Sequence, residues 1–199
     1  MIAQKFNDYI ESSAEILFEM KKKHFVDSIM NSANLIARSA IANKPILICG
    51  NGGSAADAMH IAGELTGRFL IERRAIKAVS LSADSSVITS LGNDYNFEHI
   101  FSRQVESLGE PGGILWAITT SGKSPNIIAA VKTAKQNGLN VIAMTGGAPS
   151  YIDALSSVVI KVPSRVTPLI QQAHQLVYHF ICEYVEQAVA KPNDSSNQC

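Results

Sequence analysis

Two helical stretches and two loops in this sequence carry side chains whose types and spacing can do chemistry. In His60-Ile-Ala-Gly-Glu64 a histidine and a glutamate stand at i and i+4, on one helix face, where together they can ligate a divalent metal. Such pairs are also common on exposed faces that do nothing, so alone this one signifies little. The apolar stretch PLIQQAHQLVYHFICEYV holds Gln171, Gln172, His174, Gln175 and His179. Polar groups embedded in an apolar helix are costly unless satisfied, so the cluster argues for a site; a hydrogen-bonded helix interface is the plainer alternative. The rise from Gln171 to His179 along an ideal helix is about 12 Å. These two can meet at one metal only if long side chains converge, the helix starts irregularly, or different subunits contribute.

The loops are Cys49-Gly-Asn51-Gly52-Gly53-Ser54 and Thr119-Thr120-Ser121-Gly-Lys-Ser124, each following an apolar run. Glycine allows close backbone approach, and small hydroxyls with the free N–H groups of a following helix donate to an anion. Pro125 fits the first turn of such a helix, where its missing N–H has no partner to lose. Either loop alone reads as a capped turn; two at one sheet edge read as a phosphate monoester site. The first lacks GxGxxG spacing and the GK[ST] ending, so no nucleotide cofactor is indicated. Gly92-Asn93-Asp94 is expected at a further break, where its amide and carboxylate can meet sugar hydroxyls. Arg68 can reach a phosphate or point to solvent.

The elements that must position these groups follow from hydrophobic pattern. Residues 1 to about 40 show helical periodicity without Pro or Gly and predict two helices or one bent one. From Pro45, the β-rich runs PILICG, IKAVSL, ILWAITT, NVIAMTG and SSVVIKVP alternate with helical stretches, including one from about Ser85 to Leu108 and a last from about Pro168 to Ala190. Apolar runs alternating with helices require a parallel sheet covered on both faces, so the expected fold is a doubly wound α/β three-layer sandwich. A single domain over 1–190, including the N-terminal helices, is expected to precede a disordered tail at 191–199.

Composition excludes several classes. Lys plus Arg equals Asp plus Glu at 17 each, so no global field favours nucleic acid or a membrane surface. No apolar run of the roughly 18 residues needed to span a bilayer occurs. The N-terminus does not read as a secretory signal, and the odd, scattered set Cys49, Cys182 and Cys199 points to a reducing compartment, so a cytoplasmic location is expected. With 46% apolar and 17% charged residues, burial of surface between subunits is expected.

GNGGSAADAMHIAGELTGRF, SLGNDYNFEHIFSRQV, TTSGKSPNI and IQQAHQLVYHF together resemble, in order and over about residues 1 to 190, the phosphoheptose isomerases of the SIS (sugar isomerase) family. The resemblance implies a five-stranded parallel sheet with an N-terminal helical extension, a homotetramer with sites between subunits, and conversion of sedoheptulose 7-phosphate to D-glycero-D-manno-heptose 7-phosphate, the first step of heptose synthesis for lipopolysaccharide or other surface polysaccharide. It implies one Zn2+ per subunit, held by His60, Glu64, Gln171 and His179, with Glu64 and His179 also catalytic. Substrate would be held by Asn51, Gly52, Gly53, Ser54, Arg68, Asn93, Asp94, Thr119, Thr120, Ser121, Ser124 and Gln171. The segment TGGAPSYIDALS is compact beside the longer loop of many members. A non-catalytic relative, the replication-initiator-associating protein, is the alternative; it lacks the metal and catalytic set that Glu64 and His179 represent here.

Overall fold

The computed structural model describes residues 2–190, so the tail expected at 191–199 lies outside the described residues. Five short apolar runs form one sheet from β1 (Ile46–Gly50), β2 (Ala78–Ser80), β3 (Ile114–Ile118), β4 (Asn140–Thr145) and β5 (Val158–Lys161). All pairings are parallel, in the order β2-β1-β3-β4-β5. β1 and β3 are buried along their whole length, the physical reason ILICG and ILWAI read as continuous rather than alternating apolar runs.

Successive residues of each strand enter opposite cores. Ile46, Ile48, Trp116 and Met144 join the apolar faces of α2 (Lys23–Ile41), α3 (Gly53–Thr66) and α7 (Thr167–Ala190). Leu47, Cys49, Leu115 and Ala143 join those of α5 (Ser102–Leu108) and α6 (Pro125–Gln136), with Ile88 and Leu91 of α4 (Ser85–Asp94) packed at the margin. The result is the three-layer sandwich the sequence pattern predicts.

The N-terminal stretch forms two helices, α1 (Ile2–Glu19) and α2, rather than one bent one. The region from Ser85 to Leu108, read as one helical stretch, is divided by a 3-10 turn at Phe97–His99. Asn96 makes the break: its side chain accepts the Glu98 N–H at 2.9 Å, offering the backbone a local alternative to the helix. Among the described residues no helix is long and apolar enough to cross a membrane. Cys49 and Cys182 are buried free thiols, both pushed up to about 12 by desolvation.

His174 of α7 is fully buried, with Nε2 at 3.4 Å from the Thr145 carbonyl and Nδ1 without a partner. Burial pushes its pKa from the usual 6.5 down to about 4, against a smaller upward pull from the Thr145 carbonyl. Between those values the unfolded chain binds a proton that the folded chain refuses, so stability is full above pH 6.5 and falls as pH drops toward 4. The loss is on the order of 3 kcal/mol. Urea unfolding from pH 7 to pH 4 is expected to show this decline, and His174→Asn to flatten it; an unaltered profile in that variant would place the proton uptake elsewhere.

Candidate functional site

The site begins where β1 and β3 end. Gly50 is in register with Ile118, so the two polar loops leave the sheet side by side at its topological switch point, where connections diverge to β2 and to β4. A reciprocal amide pair locks them together: Asn51 Nδ2 donates to Asn126 Oδ1 at 2.9 Å, and Asn126 Nδ2 returns the bond to Asn51 Oδ1 at 2.8 Å. The Ser82 hydroxyl, after β2, donates to the Gly50 carbonyl at 2.9 Å. Between the loops lies a cavity of about 210 Å³ lined by Asn51, Gly53, Ser54, Thr119, Thr120, Ser121, Ser124 and Gln171.

Backbone geometry explains the glycines. Gly52 turns into α3 with φ +57°, in the left-handed region. At Gly53 a Cβ would stand 2.4 Å from Gln171 Nε2, so the missing side chain is what lets the Gln171 amide reach the cradle. Ser124 precedes α6 without spending its side chain on a cap, and Pro125 occupies the first turn. The Thr119 hydroxyl accepts the Gly122 N–H at 3.2 Å and the Ser121 hydroxyl the Lys123 N–H at 3.2 Å, which curls the loop around the cavity. Thr120 and Ser121 also face an adjoining cavity of about 470 Å³ that Lys123, Ala148, Pro149 and Arg165 help line. The compact segment after β4 thus forms the mouth of the cradle.

Further along α3 and α7 a second cluster forms. His60 Nε2 lies 2.9 Å from Glu64 Oε1, and His60 Nδ1 lies 3.0 Å from the Tyr178 hydroxyl, itself 3.4 Å from Asp57 Oδ1. The His179 ring meets the His60 ring edge-on, centroids 5.0 Å apart, and stacks on Phe69 at 5.7 Å. Burial and the neighbouring His60 push the His179 pKa below its usual value, against an upward pull from Glu64. Burial pushes Asp57 up, which the Tyr178 hydroxyl and His60 partly offset. Burial and Asp57 hold Tyr178 well above its usual range, so it remains a neutral hydroxyl.

Two imidazoles and a carboxylate form a donor set suited to a divalent cation, and a ring nitrogen of His60 oriented by Tyr178 is the second-layer support that ligating histidines have. Among the described residues, however, no group of three His, Cys, Asp or Glu side chains is arranged to hold a metal ion. His60 and Glu64 satisfy each other instead. Gln171 packs on Gly53 in the cradle, and α7 is a regular helix from Thr167, so an irregular helix start does not bring Gln171 to His179.

Three residues read as substrate ligands stand apart from the cavity within one chain. Arg68 is exposed beyond α3. Asn93 and Asp94 are exposed and bonded to each other at 2.8 Å; with Gly92 they form the last turn of α4 rather than a break, because the helix ends only at Tyr95. Sequence reasoning missed Asn126, Asp57, Tyr178 and Glu186. Asp57, three residues before His60 on one face, and Glu186, a charge inside an apolar helix, carried a readable signal. Asn126 did not.

A family model described as "SIS domain" matches residues 8–146. A protein named phosphoheptose isomerase from Synechocystis sp. is 43% identical over 180 residues, 90% of this chain and 93% of that protein. The structure of phosphoheptose isomerase from Neisseria gonorrhoeae superposes with TM-score 0.88 at 37% identity, over 94% of this chain and all (100%) of that one. The structure of a phosphoheptose isomerase from Francisella tularensis does so with TM-score 0.90 at 34% identity, over 94% and 99%.

The contact at Gly53 yields a separable prediction. In Gly53→Ala the new methyl displaces the far end of a mobile side chain, not backbone, so the melting temperature is expected to change by no more than about 2 °C. Losing the Gln171 amide from the cradle is expected to weaken inorganic phosphate binding about tenfold by calorimetry. Undiminished phosphate affinity would remove Gln171 from the anion site.

Proposed function

We propose that this chain, which belongs to the phosphoheptose isomerase family of SIS-domain proteins, interconverts sedoheptulose 7-phosphate and D-glycero-D-manno-heptose 7-phosphate in heptose synthesis. It is an aldose–ketose isomerase. The observation that carries this reading is the division of labour along α3 and α7. A cradle of amides and hydroxyls surrounds Gly53 and Gln171, and the His60, Glu64 and His179 cluster lies seven residues further along α3. That is a rise of about 10 Å, suited to a sugar chain with its phosphate at one end and its carbonyl at the other.

The loops after β1 and β3 hold the phosphate by N–H and O–H donors, fixing one end of the substrate. Glu64 takes the proton from the carbon beside the carbonyl, and the resulting enediolate is reprotonated on the neighbouring carbon. His179, set beside His60 and Glu64, moves the accompanying proton between the two oxygens through the ring nitrogen that a metal would leave free. Tyr178 orients His60, and Phe69 walls His179 from one side. A Zn2+ ion held by His60, Glu64 and His179 would polarise the carbonyl and stabilise the enediolate. Gln171, the fourth ligand the resemblance implies, lies in the cradle of its own chain and would complete such a set only from a neighbouring subunit.

A homotetramer is part of this reading. It is supported by α1, which buries none of its residues and presents Ile2, Phe6, Ile10 and Phe18 to solvent in the single chain. Interfacial sites would also give exposed Arg68, Asn93 and Asp94 a substrate to meet. A cytoplasmic location accords with the two buried, unpaired cysteines. The non-catalytic alternative is not favoured, because Glu64 and His179 are both present and set beside His60.

Purified protein supplied with zinc is expected to convert sedoheptulose 7-phosphate to the aldoheptose phosphate, followed by NMR, and to leave fructose 6-phosphate untouched. Glu64→Gln and His179→Gln should remain folded yet lose at least about 100-fold in kcat. Turnover near the parental value in either variant would remove that residue from proton transfer. Folded, metal-loaded parental protein without turnover would return the chain to the binding-protein class.

A further inference from the structure

Glu186 is a buried carboxylate to which the proposed reaction assigns nothing. On α7 it is 1% exposed, and its oxygens accept the N–H groups of Phe69 at 2.7 Å, Leu70 at 2.6 Å and Ile71 at 3.0 Å. Arg73 Nε lies 3.4 Å from Glu186 Oε1, both side chains being 1% exposed. The same guanidinium donates to the carbonyls of Glu64 at 2.7 Å and Gly67 at 2.6 Å, where α3 ends. Burial alone would raise the carboxyl, but the three N–H donors and Arg73 outweigh it and hold it below its ordinary range. One side chain therefore ties the end of α3 and the strap at residues 69–71 to α7.

What the strap carries gives the clamp its meaning. Phe69, first of the three bonded residues, lays its ring on the His179 imidazole with an interplanar angle of 25°. Glu186 stands seven residues beyond His179, two turns along the same face of α7. Its grip on the Phe69 N–H thus decides where the ring comes down. A residue needed only to fill this space would be apolar, since a buried ion pair is weak evidence for stability.

The geometry points to Glu186 as a positioning residue for the isomerisation: through Phe69 it fixes the plane of His179. The inference rests on the reading of His179 as proton carrier. A small misplacement of a proton carrier lowers the rate of the chemical step without loosening the phosphate two turns away.

The test is steady-state kinetics on sedoheptulose 7-phosphate for the zinc-loaded parental enzyme, Phe69→Leu, Glu186→Gln and the double variant, with inorganic phosphate affinity and thermal melting alongside. Phe69→Leu and Glu186→Gln are each expected to lose about tenfold in kcat. KM and phosphate affinity should stay within about twofold of parental, and the double variant should fall no further than Glu186→Gln alone. Parental kcat in Phe69→Leu overturns the inference, as does a double variant in which the two losses multiply. Should Glu186→Gln not fold, Phe69→Leu still decides, since it removes the ring and leaves the clamp. A parental enzyme without turnover overturns the isomerase reading itself and this inference with it, an outcome distinct from any loss confined to the variants.

Discussion

Gly50 and Ile118 end their strands at the same level, and the rest of the site is arranged from that register. Because β1 sends its chain toward β2 and β3 sends its chain toward β4, nothing crosses between the two strand ends, and a crevice opens there. The Asn51–Asn126 amide pair spans that crevice from loop to helix, so that the buried Asn126 amide is not orphaned. With the loops locked, the starts of α3 and α6 stand beside one small space lined by Gly53, Ser54 and Ser124. A shift of one residue in the β1–β3 pairing would separate those helix ends and reverse every core residue of the strand.

The direction of α3 is the second consequence. Gly53 meets Gln171, His60 meets Tyr178 and His179, and the strap after α3 meets Glu186, so contact positions advance together along α3 and α7. The two helices run parallel and share one 1.5 Å rise per residue, so spacing on one is matched on the other. A cradle at one level and the His60, Glu64 and His179 cluster two turns on are therefore held at a fixed separation by backbone hydrogen bonds rather than by loops. That rigidity is what a substrate bound at one end and reacting at the other requires.

Much of this was legible in the sequence. Unbroken apolar runs forced a parallel sheet, Gly and hydroxyl clusters at their ends located the cradle, and the i, i+4 spacing of His60 and Glu64 placed both on one face. What stayed hidden was tertiary. Asn126 lies one residue into a helix, and only the fold brings it opposite Asn51. Asn96 interrupts the stretch between Ser85 and Leu108 through a bond to its own backbone, which helical periodicity does not register. Glu186 could be noticed as a charge among apolar neighbours, yet nothing local ties it to residues more than a hundred positions earlier. Arg68, Asn93 and Asp94 are exposed in the single chain, and nothing local in the sequence separates a solvent-facing polar side chain from one that meets a ligand.

The cradle also shows why composition was silent about an anion. Its lining contains no lysine or arginine, so a chain with 17 basic and 17 acidic residues can still offer a phosphate site. Backbone N–H groups and hydroxyls act at hydrogen-bond range and demand a shape, whereas Lys123 and Arg165 in the adjoining cavity act over the longer reach of a charge and demand only its sign. Placing the charges at the mouth and the dipoles at the base separates attraction from recognition. It also spares the protein a buried cation, which would need a partner whenever the site stood empty. Such a lining would have a further merit: hydroxyls and backbone N–H groups carry no protons to lose near pH 7, so a phosphate held there would not depend on the titration of its own ligands.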